Sequence, residues 1–263
     1  MPKTAFLNNY KVIRSGSIVE IYRFRGRNMM TTTDPDSDYS SFRAREALRR
    51  TISANWGQWY DENAGRYFMP LFMTFTFQEN MQDIIEANSR FHDFIRRLNH
   101  ELLYTRKAVL KYSWVIEVQE RGAFHYHIVV YNLPFIEKLI ERLYAIWNEV
   151  EKNGSVNFRS KMKDVRNVGA YVTKYMSKDF TRSDLPKGFH LYNNANHLRK
   201  PEVLKYIFND DGAFSDMSSE VRSERERVWA YIEKVERERP LFERATDLVV
   251  YQQYFLPSGF SFD

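Results

Sequence analysis

The chain contains no cysteine. Disulfides, thiolate zinc sites and a cysteine nucleophile are therefore excluded, and the composition fits a reducing compartment. There is no run of 18 apolar residues, and Met1 to Ser17 lack the apolar core of a secretory signal. The expectation is a soluble, cytoplasmic protein with no membrane partner. A Gly-rich phosphate loop of the nucleotide-hydrolase type is missing, as is any internal repeat. What is present is a 263-residue chain that is 43% apolar, enough for a real core, and 16% aromatic. Aromatic rings either pack that core or stack on unpaired bases. The net charge of +5 is matched by the first 60 residues alone, which hold ten Lys/Arg against five Asp/Glu. A phosphate-rich partner fits this bias, although many ordinary soluble surfaces carry a similar one.

Hydrophobic periodicity mixes both kinds of element. Residues 17–27 read as a strand, 31–41 as a loop, and Ser40 or Ser41 as the cap of a helix running to Asn55. Leu71 to Phe77 alternates like a half-buried strand. Residues 80–103 form an amphipathic helix with Ile84, Ile85, Phe91, Phe94, Ile95 and Leu98 as its apolar set. Strands at 112–119 and 123–131 come next, then a helix at 134–149 and a short strand at 155–158. A helix follows from Val168 to Lys178, then a loop with Pro186, Gly188 and Pro201. A charged helix at 217–238 and an aromatic tail close the chain. The pattern predicts an α+β fold with adjacent antiparallel strands.

Two constellations carry chemistry. His125-Tyr126-His127 places both imidazoles on one face of a strand, because strand side chains alternate. Ahead of them, Glu120-Arg121-Gly122 reads as a three-residue hairpin loop with Gly122 in the left-handed position. That register sets Glu117 opposite His125, with β-carbons about 5 Å apart. Glu117, His125 and His127 then converge as a two-imidazole, one-carboxylate metal site. The alternative is that Glu117 faces solvent, and a two- or four-residue loop would also flip the parity and bring Val118 opposite His125.

The second constellation is Tyr171-Val172-Thr173-Lys174-Tyr175. On a helix Tyr171 and Tyr175 share a face with Lys174 beside them, and Lys178 extends that face. A phenol with a pKa of about 10 costs roughly 4 kcal/mol to ionise at neutral pH. A nearby ammonium lowers that cost and neutralises a scissile phosphate, while a metal polarises the phosphoryl oxygens. These are the parts for cleaving a phosphodiester through a phosphotyrosine. The same pattern also serves as ordinary core with a snorkelling lysine.

Taken together, the motifs resemble the rolling-circle replication initiators of the HUH endonuclease superfamily, in their two-tyrosine phage and plasmid form. Phe72-Met73-Thr74-Phe75-Thr76-Phe77 is similar to that family's first motif. Arg121 to Ile128 is similar to the second, and Tyr171 to Tyr175 to the third. Arg43 to Asn55 looks like the arginine-rich helix of bacterial plasmid and phage Rep proteins. The resemblance covers residues 41–205 as the endonuclease domain. Residues 1–40 remain as an N-terminal extension, partly strand, and 206–263 as a C-terminal helical extension and tail.

The resemblance implies a central antiparallel sheet of the ferredoxin/RRM-like kind, with the histidines on its middle strands and the tyrosine helix alongside. It assigns His125, His127 and Glu117 to a divalent metal, Mg²⁺ or Mn²⁺. Tyr171 becomes the primary nucleophile, Tyr175 the second and Lys174 the assisting lysine. The implied reaction leaves a 5′-phosphotyrosyl enzyme and a free 3′-OH primer on a plasmid or phage replicon in a bacterial cytoplasm. Single-stranded DNA or a hairpin at an origin is the implied partner. Viral relatives often append a helicase with a phosphate loop; this chain has none, so host helicase and polymerase are implied. Tyr126 is also less apolar than the usual residue between the two histidines. Candidate DNA contacts are Arg43, Arg45, Arg49 and Arg50 on the first helix, Lys178, and Arg199 and Lys200 in the loop 182–205. Competing readings are a relaxase or single-strand transposase of the same superfamily, a non-haem iron oxygenase, and a DNA-binding protein without chemistry.

Overall fold

The computed structural model describes residues 8–25, 39–104, 107–150, 154–158, 166–176, 186, 189–207, 219–246 and 249–256. The chain forms two compact units, one of residues 42–199 and one of residues 1–41 with 200–263.

The first unit is built on a five-stranded antiparallel sheet. Its strands are β5 (Leu71–Thr76), β6 (Tyr112–Val118), β7 (Phe124–Val130), β8 (Ser155–Phe158) and β9 (Tyr192–Asn194), in the order β8-β5-β7-β6-β9. β7 is central and almost wholly buried, so it reads as a near-continuous apolar run interrupted by its two histidines. Period-two alternation divides the sheet. One face sends Met73, Phe75, Trp114, Ile116, Tyr126, Ile128 and Val130 into a core with α2 (Ile84–Leu102) and α3 (Leu139–Val150). The other face packs Phe72, Val115 and Val129 against α1 (Tyr39–Asn55) and α4 (Val168–Thr173).

Aromatic packing dominates the first face. The Phe91 ring stacks on Tyr126 at 4.2 Å, and Phe75 meets Phe94 at 4.4 Å. Each such fully buried ring contributes about 1.5–3 kcal/mol. The fold is α+β around antiparallel sheets, as the sequence patterning leads one to expect.

Several boundaries move for identifiable reasons. α2 starts at Ile84 rather than residue 80, because the Asp83 carboxylate accepts the backbone N–H groups of Ile85 and Glu86 and caps the helix. Ile85, expected in the apolar set, is 59% exposed. α3 starts at Leu139, not 134, after Lys138 takes a left-handed φ of 57°. The first helix begins at Tyr39, so Ser40 and Ser41 lie within its first turn instead of capping it. The helix through the tyrosines ends at Thr173 and continues only as a turn. Lys178 falls outside the described residues. The expected loop 182–205 contains β9 and the start of another strand. Between α1 and β5 a small hairpin pairs β3 (Tyr60–Asp61) with β4 (Arg66–Tyr67).

In the other unit, both ends of the chain meet in one antiparallel sheet. It comprises β1 (Asn8–Ser15), β2 (Ile18–Arg25), β10 (Glu202–Ile207), β11 (Phe242–Ala245) and β12 (Val249–Phe255), ordered β10-β1-β2-β12-β11. α5 (Ser219–Glu236) covers one face, seating Val228, Tyr231, Ile232 and Val235 on Tyr10, Val12, Val19, Ile21 and Tyr254. The part of the aromatic tail at Phe242–Ala245 and Val249–Phe255 is therefore sheet. No helix among the described residues is long and apolar enough to cross a membrane.

Candidate active site

The hairpin between β6 and β7 sets the register of the first constellation. Gly122 adopts φ +80°, the Gln119 N–H donates to the Ala123 carbonyl at 2.9 Å, and Glu117 pairs with His125. This is the three-residue turn and the pairing expected from Glu120-Arg121-Gly122. Glu117, His125 and His127 share the sheet face that α1 and α4 cover.

His127 is 2% exposed and held at both ring nitrogens. Its Nε2 lies 2.8 Å from Glu117 Oε2, and its Nδ1 lies 2.9 Å from the Thr74 hydroxyl. In the neutral ring with its proton on Nε2, the imidazole donates to Glu117 and accepts from Thr74. The hydrogen bond from His127 holds the Glu117 carboxyl below its usual range, against the opposing effect of burial. Burial pushes His125 down to about 4, with His127 adding to the effect. His125 is therefore a neutral imidazole at pH 7, and its buried Nε2 finds no hydrogen-bond partner among the described residues.

A neutral imidazole with an unspent lone pair, a second imidazole and an ionised carboxylate form a donor set that fits a divalent cation. In the conformation observed, Glu117 and His127 satisfy each other. Among the described residues no three His, Asp or Glu side chains stand already arranged around a metal-sized space. A cation held by these three side chains would replace the Glu117–His127 hydrogen bond.

The tyrosines arrive from the other side. Asn167 caps α4 by accepting the Ala170 N–H at 2.9 Å. Gly169 lets the helix approach α1 closely: a β-carbon there would stand 2.2 Å from the Arg49 carbonyl oxygen and 2.7 Å from Ser53 Oγ. So seated, Tyr171 and Tyr175 bring their hydroxyls within 3.1 Å of each other. Lys174 Nζ lies over both rings, 4.0 Å from the Tyr171 centroid and 4.9 Å from that of Tyr175. The Tyr175 ring stacks on the His127 ring at 3.9 Å and 22°. The two constellations are one cluster. Phe72 supports it, stacking near His127 and Tyr175 and meeting Tyr171 edge-on.

The basic residues separate. Arg43 on α1 is exposed. Arg49 is 5% exposed and forms a two-point pair with Glu46, at 3.0 Å and 2.6 Å. Arg50 reaches the same carboxylate at 3.4 Å. Arg45 donates to the Met176 carbonyl at 3.1 Å, tying α1 to the end of the tyrosine segment. A phosphate contact by Arg49 would first have to break a buried ion pair. Arg199 and Lys200 are exposed. The Arg199 backbone is clamped by Asn55, which accepts its N–H and donates to its carbonyl, both at 2.9 Å.

Sequence reasoning passed over Thr74, Gly169 and Asn167. The alternation Phe72-x-Thr74-x-Thr76 carried the signal for Thr74, since it sets that hydroxyl on the histidine face.

Residues 70–180 match the family model described as Replication-associated protein ORF2/G2P. The matched span contains Glu117, His125, His127, Tyr171, Lys174 and Tyr175, and it supports a replication-initiation role. No curated protein matches the chain, and no solved structure does.

Proposed function

We propose that the chain is a tyrosine nuclease of the two-tyrosine HUH type, which nicks one strand at an origin and starts rolling-circle replication. The observation that carries this reading is the Tyr175 ring stacked on His127 at 3.9 Å, which makes the tyrosines and the metal donors neighbours. In this reading the Tyr171 oxygen attacks the scissile phosphorus. The bond to the 3′ oxygen breaks, leaving a 5′-phosphotyrosyl protein and a 3′-OH that takes up a proton and primes synthesis.

The Tyr175 hydroxyl, 3.1 Å away, hydrogen-bonds the Tyr171 phenolate as its proton leaves. Lys174 over both rings offsets the charge of phenolate and phosphate. Glu117, His125 and His127 would hold Mg²⁺ or Mn²⁺, which would supply polarisation of the phosphoryl oxygens. Because the phosphotyrosyl bond conserves energy, Tyr175 can take the strand onward and rejoin it. Single-stranded or hairpin origin DNA is the substrate, with helicase and polymerase supplied by the bacterial host of a plasmid or phage.

The test incubates the protein with single-stranded origin-like oligonucleotides and Mn²⁺ and looks for a covalent adduct on a denaturing gel. The adduct is expected to need metal, to vanish in Tyr171→Phe and to fall sharply in His125→Ala. Metal-loaded protein that forms no adduct across a broad oligonucleotide library overturns the reading.

A further inference from the structure

The β3–β4 hairpin has no part in the chemistry above, yet it places large aromatic side chains in solvent. Tyr60 and Tyr67 are 52% and 59% exposed, sit directly opposite each other across the hairpin, and meet edge-on at 5.2 Å. Met69 beside them is 56% exposed. Burying such rings in the core normally stabilises a fold, so two paired tyrosines left in solvent point to a partner that covers them.

The setting is cationic and aromatic. The Arg66 guanidinium lies 3.5 Å above the Phe135 ring, and Phe68 stacks on the same ring at 6.0 Å. At the base of the hairpin, Trp59 accepts the Phe68 N–H at its carbonyl and donates its indole N–H to Asn55. Lys111 Nζ and the Arg199 guanidinium lie 5.4 Å and 5.7 Å from its ring centroid. The hairpin's own Asp61 is turned inward: its carboxylate accepts the Asn63 and Ala64 N–H groups and holds the turn. Glu62 remains as the exposed acid of the hairpin. Paired flat rings on a turn, with Arg66 beside them in sequence and Lys111 and Arg199 over the neighbouring Trp59, match the chemistry of a single strand. Bases stack on the rings and the cations meet the phosphates.

Position agrees with that occupant. The hairpin leads directly into Leu71, which pairs with Val130, whereas His125 pairs with Thr76 at the far end of β5. Five residue rises of about 3.4 Å separate those pairs, roughly 17 Å.

We infer that the β3–β4 hairpin, which leads into the end of β5 remote from the Thr76–His125 pair, is a stacking platform for single-stranded DNA. It rests on the nuclease reading for the identity of the strand's destination, but not for the binding itself. The test measures fluorescence anisotropy of labelled oligo(dT) with the full chain, without metal, across a range of salt. Tyr60→Ala/Tyr67→Ala is expected to weaken binding on the order of tenfold while leaving the salt slope unchanged, since neither ring neutralises a phosphate. Tyr60→Phe/Tyr67→Phe is expected to bind like the parent.

A second measurement uses the unsubstituted protein and needs no variant to fold. Ultraviolet crosslinking to a bromouracil-substituted oligonucleotide, followed by peptide mapping, is expected to mark residues 58–69. Unchanged affinity in a folded alanine pair, or crosslinks confined to other segments, overturns the proposal and leaves the hairpin as a protein-docking surface. Neither readout requires cleavage. A chain that binds through the hairpin yet forms no phosphotyrosyl adduct retires the nuclease reading and leaves this one standing.

Discussion

Replacing Gly169 with alanine isolates how closely the tyrosine helix must sit on its neighbour. The added carbon would lie 2.2 Å from the Arg49 carbonyl oxygen, and that oxygen is backbone, so no side chain can swing aside. Ordinary contact begins roughly 1 Å further out. Either α4 rises from α1 by about that distance or both helices deform. Overpacking of this kind costs about 1–3 kcal/mol, which outweighs the gain of up to ~1 kcal/mol that alanine brings to a helix.

The larger consequence is for geometry. Displacing Tyr171 and Tyr175 by about 1 Å from the histidines is expected to slow adduct formation on the order of 100-fold. Two assays read the two effects, urea unfolding for stability and single-turnover adduct formation for chemistry, with Ala170→Ser on the exposed side as a control within about 0.5 kcal/mol. A Gly169→Ala protein that matches its parent in both would refute the close-packed crossing.

Thr74→Val keeps the shape of the side chain but removes the partner of His127 Nδ1. Mn²⁺ affinity by calorimetry is expected to fall about 10- to 100-fold, with Thr74→Ser retaining it. Arg43→Gln is expected to reduce the salt slope of DNA binding by about one phosphate. Arg49→Gln is expected to leave the slope alone and destabilise the fold, because Arg49 is buried against Glu46; a reversed pattern would reassign the two residues. Tyr126→Phe removes a buried hydroxyl that has no partner among the described residues. Urea unfolding is expected to show no loss, or a gain of up to ~1 kcal/mol, and a clear loss would point to a bound water or hidden acceptor.

What was legible in the sequence was local. Gly122 fixed the hairpin loop length, and alternation then carried Glu117 to the position opposite His125. The tyrosine pair followed from spacing along one helix. The stacking of Tyr175 on His127 had no such signal, because it joins residues 48 positions apart through the packing of α1 under α4. The arginine helix carries less free charge than its composition suggests. Glu46 stands three residues before Arg49 and four before Arg50, the spacing at which a carboxylate engages a following cation, and it pairs with both. The terminal sheet was obscured because Val249-Val250-Tyr251-Gln252-Gln253-Tyr254-Phe255 shows no clean alternation. It becomes strand by pairing with β2, a partner more than 200 residues away.

The strand order gives the two halves of the cluster different lifetimes. β7 has a hydrogen-bonded neighbour on each side, so the amides around His125 and His127 exchange with solvent only when the whole sheet opens. Tyr171 rides on a six-residue helix, with Tyr175 on the turn that follows it, far below the length that sustains itself in water. Its amides exchange through local opening that leaves the sheet intact. Mild heat or low denaturant therefore loosens the tyrosines first, while the histidine strand waits, still folded, for them to return.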